Sequence, residues 1–439
     1  MTVVPSRRWL IGAAALAVAA PLAVVWPGSG GLLPALDLLW IAALVLDAAR
    51  APVPRSLDVS REAPAAFGVG RAAVIRYRWR HHSQRRLVLD VRERLPEPLG
   101  GAVTPTRRLL VPPGEGLDER LELTPVRRGG GAGGELAIRI LGPLGLAWRQ
   151  GTVRLPWHAT VYPTLPESRL RALPLQVARR REAGLRAIRR PGEGQLFEGL
   201  REWVPGDETR IIDWKATARR GKPIARQYED ERRQQVLIVI DAGRLLTAEI
   251  DGVARLESVV TAALQLARAA VEHDDNVGLM IFADTVQRHL APARGRRALR
   301  AVLDGLAHAE GRLVESDYPA AFRYLAAHNR KRALTVLFTD VIDRTASEAL
   351  VAHAATLRPR HLPLAVTLRD PALEALAAAR PATSGAAFER AAAEELLGAR
   401  EAALLEMRGR GVMVLDVAPA GAGEAVVARY HQLKRRGLL

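Results

Sequence analysis

The sequence predicts a multi-domain chain: an N-terminal transmembrane helical hairpin, a small antiparallel β-sandwich and a C-terminal doubly wound α/β domain. Three observations predict it. Two long apolar runs open the chain, short alternating runs follow, and strand–helix repeats begin at Val236. A length of 439 residues exceeds one ordinary domain. The expected divisions are 1–55 for the hairpin, 56–165 for the sandwich, 166–198 for a linker, 199–235 for an insert and 236–439 for the α/β domain.

Residues 9–26 carry no charge, a length sufficient for a helix to span a bilayer. Residues 27–31 read as a tight turn, and residues 32–46 form a second apolar run broken by Asp37. Arg7 and Arg8 precede the pair, and Arg50 and Arg55 follow it, so the positive-inside rule puts both ends in the cytoplasm. Trp9, Trp26 and Trp40 suit interfacial positions. A cleaved signal peptide fits only the first run. The expected localisation is therefore the bacterial inner membrane, with the large region cytoplasmic.

Between residues 56 and 165, short runs at 72–79, 87–92, 117–123, 136–140 and 152–156 alternate apolar and polar positions. Gly-, Pro- and Arg-rich stretches such as 129–134 and 142–146 separate them as turns, the pattern of a sandwich. His81 and His82 have no further ligands nearby and read as a solvated loop. From Val236, the apolar strand 236–240 ends on Asp241, and helices and strands then alternate to residue 435. Such repeats imply a parallel sheet covered on both faces, with ligands bound at the strand carboxyl ends. Asp241 and Asp340 sit at two of those ends.

The net charge of +17 comes almost wholly from arginine, since Lys215, Lys222, Lys331 and Lys434 are the only lysines. These arginines are scattered, and aromatic residues make up only 5%, so no nucleic-acid partner is expected. With no cysteine, disulfides and thiolate metal sites are excluded.

The stretch 199–241 organises the chain. Pro205 and Gly206 have turn chemistry, and Asp207 reads as the N-cap of a helix over 208–218. Ile211, Trp214 and Ala218 fall on one helical face. The charged run 224–233 reads as an exposed strand or hairpin arm, and residues 226–233 as a docking edge.

On Arg201, Trp203, Pro205, Gly206 and Asp207, followed by Arg210, Asp213, Trp214, Thr217 and Arg219, the chain resembles the bacterial domain of unknown function 58 family. The resemblance implies that residues 236–435 form a von Willebrand factor A-like domain. It also implies a MoxR-type AAA+ ATPase as partner, with a client protein whose assembly or maturation is assisted. The ten hallmark residues are then the expected partner-binding set.

A-type domains often hold Mg²⁺ through a strand-end Asp-x-Ser-x-Ser, a Thr and a second Asp. Here the first segment reads Asp241-Ala242-Gly243-Arg244-Leu245, without either serine, while Ser316 and Asp340 stand where the Thr and distal Asp belong. No cofactor is expected; a Mg²⁺ on Asp241, Ser316 and Asp340 is the alternative.

Asp207, Asp213 and Lys215 invite a metal-dependent nuclease reading, but a helix would point Asp213 and Lys215 in different directions. Phosphate-binding loops, nucleophile elbows and H-E-x-x-H motifs are absent from the sequence. The expected function is thus a non-enzymatic, membrane-anchored scaffold for the ATPase. A metal-dependent adhesion-type domain facing outside the cell is the alternative, and a nuclease the third.

Overall fold

The computed structural model describes residues 2–21, 31–114, 116–164, 196–205, 207, 209–229, 234–250, 252–341, 344–358 and 360–439. The chain divides into two compact units, Met1–Thr164 and Leu165–Leu439.

The first unit begins with a strand, β1 (Thr2–Pro5), before the helices α1 (Arg7–Ala19) and α2 (Leu32–Arg50). Strands β2 (Asp58–Glu62), β3 (Phe67–Gly68), β4 (Ala73–Arg80), β5 (Leu87–Arg94), β6 (Arg107–Val111), β7 (Leu117–Leu123), β8 (Gly129–Leu141) and β9 (Ala147–Tyr162) follow. One sheet runs β1-β9-β8-β5-β6, with β3 alongside β9; the other runs β2-β4-β7. Alternation explains the pairing: Ile75, Tyr77 and Trp79 of β4 meet Leu89, Val91, Leu136 and Ile138 of the larger sheet in one core. Polar groups also enter this unit's interior, Glu93 and His81 among them. The buried Glu93 accepts from Arg61 Nη2 at 2.5 Å and from the Tyr77 hydroxyl. His81 is buried rather than solvated, with Nε2 3.2 Å from the Val111 carbonyl.

The expected transmembrane hairpin, and the inner-membrane placement that rested on it, are overturned. Among the described residues no helix is long and apolar enough to cross a membrane. The 13 residues of α1 extend only about 20 Å, against a hydrocarbon core of about 30 Å. The 19 residues of α2 include Asp37 and Asp47, and the last turn belongs to the sandwich. Asp47 is fully buried and accepts backbone N–H bonds from Leu144, Leu146 and Ala147 at 2.6–2.8 Å. Ser6 ties the base of α1 to the same turn, its hydroxyl donating to the Gly145 carbonyl at 2.7 Å. Trp9 and Trp40, expected at an interface, each donate an indole N–H to the other's carbonyl at 3.2 Å. Trp26 lies outside the described residues, as does the stretch 27–30 of the expected turn.

The glycine run 129–134 is no turn either; it forms the start of β8, paired with β9. Prolines 96 and 98 press against Gly131 and Gly133 so closely that side chains would collide with them.

In the second unit, β10 (Leu196–Glu202) and β11 (Ile224–Glu229) make an antiparallel pair around the short helix α3 (Trp214–Arg220). Then come β12 (Gln235–Asp241), α4 (Arg244–Thr247), the small pair β13 (Glu249–Ile250) and β14 (Val253–Ala254), and α5 (Arg255–Glu272). Next are β15 (Asn276–Phe282), β16 (Val286–Ala293), α6 (Gly295–Ala307), α7 (Tyr318–His328), β17 (Leu334–Phe338), α8 (Arg344–Thr356) and β18 (Leu362–Leu368). Last are α9 (Pro371–Ala378), α10 (Ser384–Gly409), β19 (Met413–Val417) and α11 (Ala422–Arg435).

The main sheet runs β16-β15-β12-β17-β18-β19, parallel except for the edge strand β16, which the sequence reading missed. Period-two geometry splits β12 between two cores. Val236, Ile238 and Ile240 pack with α5, α6 and α11, whereas Leu237 and Val239 pack with α7, α8 and α10. Each such burial contributes about 2 kcal/mol, which is why a fully apolar run occupies the central strand.

Candidate functional site at the strand carboxyl ends

Central strand β12 delivers Asp241 to the carboxyl edge of the sheet, where its carboxylate is buried. Four donors saturate it. Oδ1 accepts from the Ser316 hydroxyl and from Gly243 N at 3.0 Å. Oδ2 accepts from Tyr318 Oη at 2.5 Å and Thr339 Oγ1 at 2.8 Å. Burial, and then the adjacent carboxylate, hold the Tyr318 phenol well above its ordinary pKa, so it remains a donor.

Asp340, just beyond β17, is also buried, but its partners are cationic. The Arg255 guanidinium, from the first residue of α5, lies against Oδ2 and reaches Asp370 at 3.1 Å. Arg400, on α10, donates to Asp340 Oδ1 at 2.5 Å and to the Val341 carbonyl at 2.6 Å. Its other arm reaches Asp416 at 2.7 Å and the Leu368 carbonyl at 3.1 Å. One guanidinium thereby ties the ends of β17, β18 and β19 together. The sequence reading missed both arginines, since nothing in a helical Ala-Arg-Glu or Ala-Arg-Leu marks them among 64 basic residues.

The expected metal triad is only partly assembled. Ser316 does meet Asp241, but Asp340 turns to the arginines. Mg²⁺ demands about six oxygens in a near-ideal octahedron, several of them water. The oxygens of Asp241 face protein donors, and a guanidinium abuts Asp340. A side chain at Gly243, where the pattern asks for serine, would collide with the Ser316 hydroxyl. This donor set does not fit the ion.

The hallmark residues separate into two groups. Arg201 grips Asp207 with two arms at 2.6 and 2.7 Å, and Asp207 also accepts Val204 N at 3.1 Å. Asp207 thus closes the turn around Pro205 and caps no helix. The cap is Asp213, which accepts from Ala216 N at 3.0 Å, and α3 is shorter than expected. Thr217 Oγ1 accepts from Ile224 N at 2.9 Å, and Trp203 N donates to the Pro223 carbonyl at 2.9 Å. Gly221, at φ +66°, closes the helix where a side chain would be strained. These residues tie the insert together. Trp214, Lys215 and Arg219 instead point outward, and Trp214 is 70% exposed. Gly206 and the Arg210 side chain lie outside the described residues, as do the side chains of 226–229 and all of 230–233 in the expected docking edge.

Residues 199–390 match the profile of the family described as protein of unknown function DUF58. Over this region the chain is similar to the DUF58 family. No curated protein matches it. Among solved structures, the conserved hypothetical protein BatB from Bacteroides thetaiotaomicron aligns at 12% identity, over 46% of this chain and 99% of that one, with a TM-score of 0.32. The CARDB domain of PF1109 from Pyrococcus furiosus aligns at 14% identity, over 24% of this chain and 86% of that one, with a TM-score of 0.17. Neither likeness is close enough to inform function.

Proposed function

We propose that this protein is a non-enzymatic scaffold that docks a MoxR-type AAA+ ATPase and presents it to a client protein during assembly or maturation. The observation that carries this reading is the exposed Trp214 on a helix fixed from within by Asp213, Thr217 and Gly221. Tryptophan is enriched at the energetic centres of protein interfaces, and a rigid support lowers the entropy lost on docking. Leu200 and Val204, also exposed, add apolar surface in the same insert. Arg219 supplies a charge for an acidic rim on the partner.

The engagement of the carboxylates favours a binding role over catalysis. Asp207 is held by Arg201, and Asp213 caps α3, so the carboxylate–lysine arrangement of a nuclease has no acid to offer beside Lys215. Affinity capture of the full chain with and without Trp214→Ala tests the scaffold reading.

A further inference from the structure

We propose that Arg255 and Arg400 are the resident cations of the strand-end site, so that this edge of the sheet works without a divalent metal. The inference concerns the site alone and stands independently of the ATPase reading.

A strand-end carboxylate that meets no metal must be neutralised or hydrogen-bonded when buried. The two aspartates solve this in different ways. Asp241 is surrounded by three hydroxyls and an amide, a shell of neutral donors filling both oxygens. Asp340 takes two guanidinia and the Val341 amide, at 2.8 Å from Oδ1. Arginine suits this position because its delocalised charge is weakly hydrated and its planar fork bridges two carboxylates. Arg255 joins Asp340 to Asp370, and Arg400 joins Asp340 to Asp416. Gly243 completes the substitution, because the Ser316 hydroxyl occupies the space that a serine there would need. The cationic role at this edge therefore falls to side chains anchored on α5 and α10. Those arms reach the ends of β17, β18 and β19, so the geometry of this edge is fixed without an exchangeable ion.

The test is divalent-ion binding by the full chain, read by thermal unfolding and by Mn²⁺ electron paramagnetic resonance. In wild type, 10 mM Mg²⁺, Mn²⁺ or Ca²⁺ is expected to leave Tm within about 1 °C of its value in EDTA, with no bound Mn²⁺ signal. A site of roughly 0.1 mM affinity would raise Tm by about 5 °C or more under those conditions. Such a rise, with one Mn²⁺ per chain that Asp241→Asn abolishes, overturns the proposal. Arg255→Ala bares an Asp340 oxygen, and this variant is expected to lose stability that Mn²⁺ partly restores. A variant that is folded by circular dichroism yet indifferent to Mn²⁺ contradicts the assignment of Arg255 to the cation's place. If Arg255→Ala does not fold, Arg400→Lys with the wild-type titration decides: retained indifference supports the proposal, and a gained wild-type signal sinks it.

Discussion

Arg400 Nη1 and Asp340 Oδ1 lie 2.5 Å apart at the carboxyl edge of the sheet, and both side chains are nearly or wholly buried. Removing one partner of such a pair leaves a buried charge without its counterion, a cost of about 3–5 kcal/mol. Arg400→Ala is therefore expected to lower Tm by roughly 10 °C in a unit of this size. Asp340→Ala should be similarly damaging, and the double variant less damaging than the sum. Denaturant titration of the three variants measures this coupling; strict additivity would mean the pair does not act as a unit.

Acid should weaken the second unit through its histidines. His273 and His431 meet Nε2 to Nε2 at 3.0 Å between α5 and α11. Burial lowers the pKa of each, reinforced at His273 by Lys434 and at His431 by His273, Arg435 and Lys434; Asp275 and Glu272 oppose this at His273, and Glu272 at His431. A histidine with a depressed folded pKa binds more protons when unfolded, so stability is full above about pH 6.5 and falls as pH drops through the folded value. Unfolding curves at pH 7.5 and 5.5 should show this loss. His273→Gln/His431→Gln should reduce the difference; a pH response unchanged in that variant would remove these residues as its source.

Asp47 joins α2 to the sandwich through three backbone N–H bonds. Charge-assisted bonds of this kind are worth about 1.5–3 kcal/mol each at most, and they are not additive. Asp47→Ala is expected to cost about 3 kcal/mol and to speed amide exchange at Leu144, Leu146 and Ala147. Protection at those amides that survives the substitution would show that the turn is held by something else.

Asp213 and Trp214 are neighbours with opposite expectations. Asp213→Ala removes an N-cap and should cost about 1 kcal/mol, seen as fraying of α3. Trp214→Ala removes an exposed side chain and should change stability by less than about 0.5 kcal/mol. Thermal unfolding compares the two; a large loss from Trp214→Ala would make that side chain a packing residue and remove the support for docking.

The sheet was legible in the sequence because its central strands are fully apolar and its helices repeat at 3.6-residue spacing. Asp241 was legible too, as the acid ending such a strand. Edge strand β16 was not, because Gln287, Arg288 and His289 leave it without an apolar run. The N-terminal runs misled for a physical reason: uncharged residues signal a membrane span only when a helix continues through them and its ends are free. Here Ser6 and Asp47 spend their side chains on the turn between β8 and β9, 97 to 139 residues away. Arg255 and Arg400 stayed hidden for the same reason, since their partners lie up to 115 residues distant.

The most direct test of the scaffold reading is capture of the tagged full chain from its native host, wild type beside Trp214→Ala, with ATP held constant and the bound proteins identified by mass spectrometry. Wild type is expected to retain a MoxR-type AAA+ ATPase, and the equally folded variant to lose most of it. An ATPase retained equally by both would contradict docking through Trp214, and its absence from both would contradict the scaffold reading itself.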